Sequence, residues 1–180
     1  MVKVFALIPA RAGSKGVPNK NVRLLGGYPL LSWSVAACRK SATIDRVIVS
    51  TDSPDYADLA KKFGAEAPFL RPVEISGDRA TDYDFIVHAL DWLATCGEEP
   101  DYVVHIRPTT PLRDPHLIDE AVRAFMIASM ATALRSVHEM PESAYKTFEI
   151  VQGQLKRVGC ESPALDAANN ARQQYPSTYQ

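Results

Sequence analysis

The sequence predicts a three-layer α/β/α fold on a mostly parallel sheet, and three observations predict it. Short apolar runs rich in β-formers alternate with segments whose apolar residues recur at helical spacing, the rhythm of βα units joined by right-handed crossovers. The first run, Val2-Lys3-Val4-Phe5-Ala6-Leu7-Ile8, passes directly into a basic loop containing glycine. That is where open α/β sheets place anionic ligands. The remaining clusters of arginine and polar residues also follow predicted strands, which puts them on the same edge of such a sheet.

The elements follow in order. After the loop, Leu24-Leu25-Gly26-Gly27 reads as a turn. Pro29 suits the first turn of a helix through about Arg39, with Leu30, Leu31, Trp33, Ala37 and Cys38 on its apolar face. Arg46 to Thr51 is the second strand. Asp52 or Ser53 can cap the next helix, which starts at Pro54, runs to about Phe63 and is closed by Gly64. Ala67-Pro68-Phe69-Leu70 is a short third strand, placed at an edge because proline has no ladder N–H. A helix from Asp82 to Thr95 carries Phe85, Ile86, Ala89, Leu90 and Leu93 at core spacing, and Gly97 ends it. Tyr102 to Ile106 is the fourth strand, Asp114-Pro115 opens a helix through about Ala128, and Ala131 to Val137 is the fifth strand. The rhythm then breaks. Tyr145–Val151 and Leu155–Val158 flank Gln152-Gly153-Gln154 as a hairpin. The resulting organisation is one domain over residues 1–180, with residues 138–168 as an appended arm.

Composition narrows the function. The formal net charge of −1 argues against a broad nucleic-acid-binding surface and confines any basic function to local segments. No apolar run reaches membrane-spanning length, and residues 2–8 are too short for the apolar core of a signal peptide. Cys38, Cys96 and Cys160 lie far apart with no C-x-x-C spacing, which fits a reducing, cytoplasmic setting and no zinc site. Cys38 and Cys96 fall on helical patterns and read as small core residues.

Residues 9–21 carry the chemistry. Arg11, Lys15 and Lys20 are interleaved with Gly13, Ser14, Gly16, Asn19 and Asn21, and Pro9 and Pro18 hold the segment out of helix. Glycine lets backbone N–H groups approach phosphate oxygens, while arginine and lysine neutralise them. The spacing fits neither G-x-x-x-x-G-K-[ST] nor G-x-G-x-x-G, and Gly13-Ser14-Lys15-Gly16 is not a nucleophile elbow. Taken singly, Arg71, Arg113 and Lys146 are ordinary surface cations and Asp114 is a helix cap. Asp78, Asp82 and Asp84 read as acids favoured at a helix start, and His88 and His105 as structural.

The run Pro9–Asn21 matches P-A-R-x-G-S-K-G-[VI]-P-x-K-N and resembles the N-terminal signature of the acylneuraminate cytidylyltransferases, the CMP-N-acetylneuraminic acid synthetases and their relatives. Leu70-Arg71-Pro72 is similar to that family's L-R-P segment. Arg107-Pro108-Thr109-Thr110-Pro111-Leu112-Arg113 is similar to its Q-P-T-S-P-L-R, and Arg172-Gln173-Gln174 to its R-Q-Q. Lys146 matches a lysine on its dimerisation arm. The resemblance implies a Rossmann-like nucleotidyltransferase sheet and a reaction joining CTP to a sialic-acid-like nonulosonic acid, with release of pyrophosphate. It implies nucleotide binding by Arg11, Gly13, Ser14, Lys20, Asn21 and Arg71, with Lys20 and Arg11 in catalysis. It further implies sugar contacts from Arg107, Arg172 and Gln173, and a homodimer in which Lys146 enters the neighbouring subunit's site. Neither nucleic acid nor membrane is an implied partner.

The chain departs from the family pattern twice. Arg107 stands where the family has a sugar-contacting glutamine. The family's magnesium-binding D-x-D segment follows R-Q-Q, so the resemblance places the Mg2+ ligands beyond residue 180. Two alternatives stay open on the sequence: another sugar nucleotidyltransferase, and a non-catalytic nucleotide-binding homologue.

Overall fold

The computed structural model describes residues 2–139, 148–152 and 154–157, which fall into two compact units, residues 1–131 and 132–180. In the first unit β1 (Val4–Pro9) leads into the basic loop and a 3₁₀ turn at Lys20–Val22. The predicted turn after it is the tip of a small hairpin, β2 (Leu24–Leu25) against β3 (Tyr28–Pro29). Gly26 and Gly27 close that hairpin at φ 58 and 85, the left-handed pair that a two-residue turn requires. Then come α1 (Leu30–Lys40), β4 (Arg46–Ser50), α2 (Pro54–Lys62), α3 (Asp82–Thr95), β5 (Tyr102–His105) and α4 (Pro115–Ile127). The helix starts have the chemistry the sequence offers. Ser53 accepts from the Tyr56 N–H, Thr81 and Asp84 form a reciprocal capping box, and Asp114 accepts from the His116 N–H.

β1 is the middle strand of the parallel sheet, paired with β4 from Phe5↔Arg46 to Pro9↔Ser50 and with β5 from Val4↔Tyr102 to Leu7↔His105. Side chains alternate across a strand, so β1 feeds two cores. Val4, Ala6 and Ile8 pack with Leu31, Val35 and Cys38 of α1 and with Ile118 and Val122 of α4. Phe5 and Leu7 pack with Ile48 and with Phe85, Ala89 and Leu93 of α3. Helices therefore cover both faces, as predicted. Burying each large side chain contributes about 1.5–3 kcal/mol, so β1, buried on both faces, is held from both sides.

Three local expectations are corrected. The third strand reduces to one bridge, Glu66 with Ile48. Glu66 exchanges hydrogen bonds of 2.8 Å with Val47 and Val49, and Arg71 N–H donates to the Thr51 carbonyl at 2.7 Å. Between them Pro68 has no N–H to give, so the ladder breaks, yet the segment still delivers Arg71 to the end of β4. Ala131 to Val137 forms no strand; all of its residues are exposed, so its apolar positions have no face to pack on. Cys96 is exposed at the end of α3, whereas Cys38 is buried and burial pushes its thiol up to about 12. In the second unit the described part of the predicted hairpin pairs β6 (Phe148–Val151) antiparallel to β7 (Gln154–Arg157), while residues 145–147 and 158 lie outside the described residues. No helix among the described residues is long and apolar enough to cross a membrane.

Candidate active site

A cleft of about 320 Å³ opens at the carboxyl ends of the parallel strands. Its wall is built from the loop after β1, the segment before α3 and the turn after β5. Five cations reach it: Arg11, Lys15, Lys20, Arg71 and Arg107. Ser14, Asn21 and Thr109 add polar groups, and Phe85 and Pro108 add apolar surface.

The loop is braced from behind. Ala12 N–H donates to Asp52 Oδ1 at 2.7 Å, and Asn21 Nδ2 donates to the Arg11 carbonyl at 3.0 Å. Tyr56 Oη donates to Asn19 Oδ1 at 3.3 Å. Asn19 itself is left-handed at φ 53, a conformation asparagine tolerates better than most residues. Asn21 is only 5% exposed, so its amide is spent on shape as well as on lining the cleft. Gly13 sits at φ 70 and turns the chain, but it does not line the cleft.

Arg71 is the least exposed of the cations, at 6%. Its Nε donates to Ser50 Oγ at 3.0 Å and its Nη2 to the Ser50 carbonyl at 2.6 Å, and the guanidinium lies 5.0 Å over the Phe85 ring. Burial pulls its pKa down to about 10, with Asp52 opposing and Arg11 reinforcing the fall. It stays charged at neutral pH. Among the described residues neither Arg71 nor Lys20 forms an ion pair with a carboxylate. The other three cations do: Arg11 and Lys15 share Asp78, and Arg107 pairs with Asp82.

Of the residues singled out from sequence, Arg11, Ser14, Lys20, Asn21, Arg71 and Arg107 therefore meet in one cleft, although they are spread over three strand ends. Lys146, Arg172 and Gln173 lie outside the described residues. Sequence reasoning missed the acids. Asp52 is not a helix cap but an anchor for the loop, and Asp78 and Asp82 face cations rather than only a helix dipole. The available signal was three aspartates between Arg71 and the α3 core positions, which a helix start explains equally well. His88 and His105 have their pKa values lowered chiefly by burial and sit against Phe69 and Phe85, as structural residues do. Among the described residues no group of three or more His, Cys, Asp or Glu could hold a metal ion, and Asp78 and Asp82 are already taken by cations.

A parallel sheet with a cation-lined cleft at its carboxyl edge defines an α/β protein equipped for a polyanionic ligand. Residues 5–154 match the family model described as Cytidylyltransferase, and the chain belongs to that family. It is 40% identical over 123 residues to an N-acylneuraminate cytidylyltransferase of Escherichia coli O18:K1:H7, a match covering 68% of this chain and 28% of that protein. It is 40% identical over 125 residues to a CMP-N,N'-diacetyllegionaminic acid synthase of Legionella pneumophila, covering 67% and 52% respectively. The chain thus spans about half or less of these relatives' length. In fold it is similar to a CMP:2-keto-3-deoxy-manno-octonic acid synthetase solved with CTP, with TM-score 0.68 and 20% identity over 94% of this chain and 69% of that one.

Proposed function

We propose that the cleft binds CTP in a cytidylyltransferase that activates a nonulosonic acid of the sialic-acid type. One observation carries the reading: Arg71 is a buried guanidinium facing a cleft of cations with no carboxylate partner among the described residues. Burying a cation without a carboxylate ion pair costs free energy that a bound anion offsets. The relatives' names support cytidine as the nucleoside and a nonulosonic acid as the acceptor.

In this reading Arg11, Ser14 and the loop amides around Gly13 hold the triphosphate, while Asn21 and Arg71 fix the nucleotide. The acceptor's anomeric hydroxyl attacks the α-phosphorus. A new oxygen–phosphorus bond forms, the bond to the bridging oxygen breaks with its electron pair leaving on pyrophosphate, and the hydroxyl proton is released. No covalent enzyme intermediate is needed, so catalysis rests on positioning and charge neutralisation, with Lys20 stabilising the developing charge. Arg107 meets the sugar acid at the rim. The second unit serves as the dimerisation arm, Lys146 enters the partner's site, and Arg172 and Gln173 hold the sugar carboxylate and hydroxyls. These roles rest on the family resemblance. A cytoplasmic setting fits the free thiols Cys38 and Cys96.

Calorimetric binding of CTP, with ATP, GTP and UTP as comparators, tests the nucleotide half. At least a tenfold preference for CTP is expected; equal binding of all four overturns the cytidylyl reading. Gel filtration tests the arm, and a monomer overturns the shared-site role of Lys146.

A further inference from the structure

Three of the cleft's cations are held by acids of one short segment, and the way Asp78 holds two of them differs from the way Asp84 and Asp119 are held. Asp78 Oδ1 accepts from Arg11 Nη2 at 2.9 Å, and Oδ2 is paired with Lys15 Nζ. The Ser76 carbonyl accepts from Arg11 Nη1 at 3.1 Å. The turn at residues 76–78 thereby occupies the whole fork with which Arg11 would grip a phosphate. Asp119, by contrast, accepts from Ser41, Ala42 and Thr43, and Asp84 accepts from Thr81; these are fixed donors of their own neighbourhood. Among the described residues Asp78 has no donors except the two cleft cations. Its side chain is 39% exposed, so water can take over from either cation.

We infer that Asp78 is an internal counter-anion for the pyrophosphate part of the site: its carboxylate occupies the place between Arg11 and Lys15 that the ligand's terminal phosphates take, leaves when they arrive, and pairs again as pyrophosphate departs. The inference rests on the proposed triphosphate reading. A single carboxylate can be displaced because a terminal phosphate brings more charge and a third oxygen to the same two cations. Its return gives Arg11 and Lys15 a partner at the moment of release, so neither is left bare beside Arg71. Asp78 therefore sets affinity for pyrophosphate without touching the reacting phosphorus, and its removal tightens binding where removal of a supporting residue would loosen it.

The test is calorimetric binding of inorganic pyrophosphate, CTP and CMP to the full chain and to Asp78→Asn and Asp78→Ala. Asp78 is an exposed turn residue, and matching circular-dichroism melts verify that both variants fold. Exposed ion pairs are weak, so the expected gain is about three- to tenfold in affinity for pyrophosphate and CTP, with CMP unchanged because it lacks the terminal phosphates. Asp58→Asn removes an equal charge from an exposed pair within α2 and is expected to change nothing. Unchanged or weaker pyrophosphate binding in the Asp78 variants overturns the inference, as does equal tightening in Asp58→Asn or a wild-type chain that binds neither pyrophosphate nor CTP. A wild-type chain that binds pyrophosphate but shows no preference for CTP over other triphosphates overturns the cytidylyl reading instead.

Discussion

Arg46 and Arg71 lie at opposite ends of β4, and each sets its guanidinium over a phenylalanine, Phe5 at 4.9 Å and Phe85 at 5.0 Å. Their electrostatics are opposite. Arg46 grips Glu66 with two nitrogens at 2.9 and 2.6 Å and Glu98 with a third at 2.7 Å. The hydrogen bonds it donates to Glu66 lead a strong upward shift in its pKa. Arg71 has a hydroxyl and a carbonyl of Ser50, and burial draws its pKa down. A cation whose charge is met by the protein holds the fold together. One buried with neutral acceptors alone is held ready for a charge that comes from outside. Arg46 at the amino-terminal edge of the sheet is of the first kind and Arg71 at the carboxyl-terminal edge of the second.

Lys20, half-buried and without an ion pair among the described residues, gives the largest expected effect. Lys20→Ala is expected to lower the rate of CMP-sugar formation roughly 10²–10³-fold, about 2.7–4 kcal/mol of transition-state stabilisation, with an unchanged melting temperature. Steady-state kinetics on the full-length enzyme checks this, and turnover near wild type removes Lys20 from the chemistry.

Arg71→Met is next. Losing the charge-assisted contacts of one guanidinium is expected to weaken CTP binding roughly 10- to 150-fold, about 1.5–3 kcal/mol. Stability should hold or rise, because an unpaired buried charge gives way to apolar volume beside Phe85. A clear fall in melting temperature with CTP affinity intact would break the comparison at its centre.

Much of this was legible in the sequence. All four long helices start where caps and prolines put them, at Pro29-Leu30, Pro54, Asp82 and Pro115, because those signals are local. The basic loop, Arg71 and Arg107 were found because parallel topology brings strand ends together whatever the intervening chain does. Pro68 foretold an edge and instead reduced the strand to a single bridge, a matter of which N–H groups the neighbour needs. The acids were misread for a deeper reason. Asp78 pairs with Arg11 across 67 residues, a contact that no local pattern encodes. A capping acid and a counter-ion look alike until the fold sets them beside their partners.

Asp119 is the anionic counterpart of Arg46. It is buried where α4 meets the end of α1, and accepts from Ser41 Oγ, Ala42 N, Thr43 N and Thr43 Oγ1. Burial pushes its pKa up, but these donors outweigh it and hold the group at about 2. A depressed carboxylate stabilises the fold above its unfolded value, about 3.9, and loses that contribution as pH falls through the folded value. Asp119→Asn should therefore cost about 1–2 kcal/mol at pH 7 in urea titrations. The gap to wild type should close between about pH 4 and pH 2. A gap that persists at low pH would mean that the charge is not what the donors hold.

Arg46→Met gives the smallest effect and completes the pair. Its glutamates are partly exposed, with Glu66 at 45% and Glu98 at 49%, so water takes over much of their charge once the arginine is gone. The expected loss is about 0.5–1 kcal/mol, read as a small drop in melting temperature, with CTP affinity unchanged. Glu66 makes the one bridge that continues the sheet beyond β4, and Arg71 follows a few residues later on the same segment. If Arg46→Met weakens CTP binding as well, the two arginines are coupled through that segment, and the clamp at one edge of the sheet then helps to aim the open cation at the other.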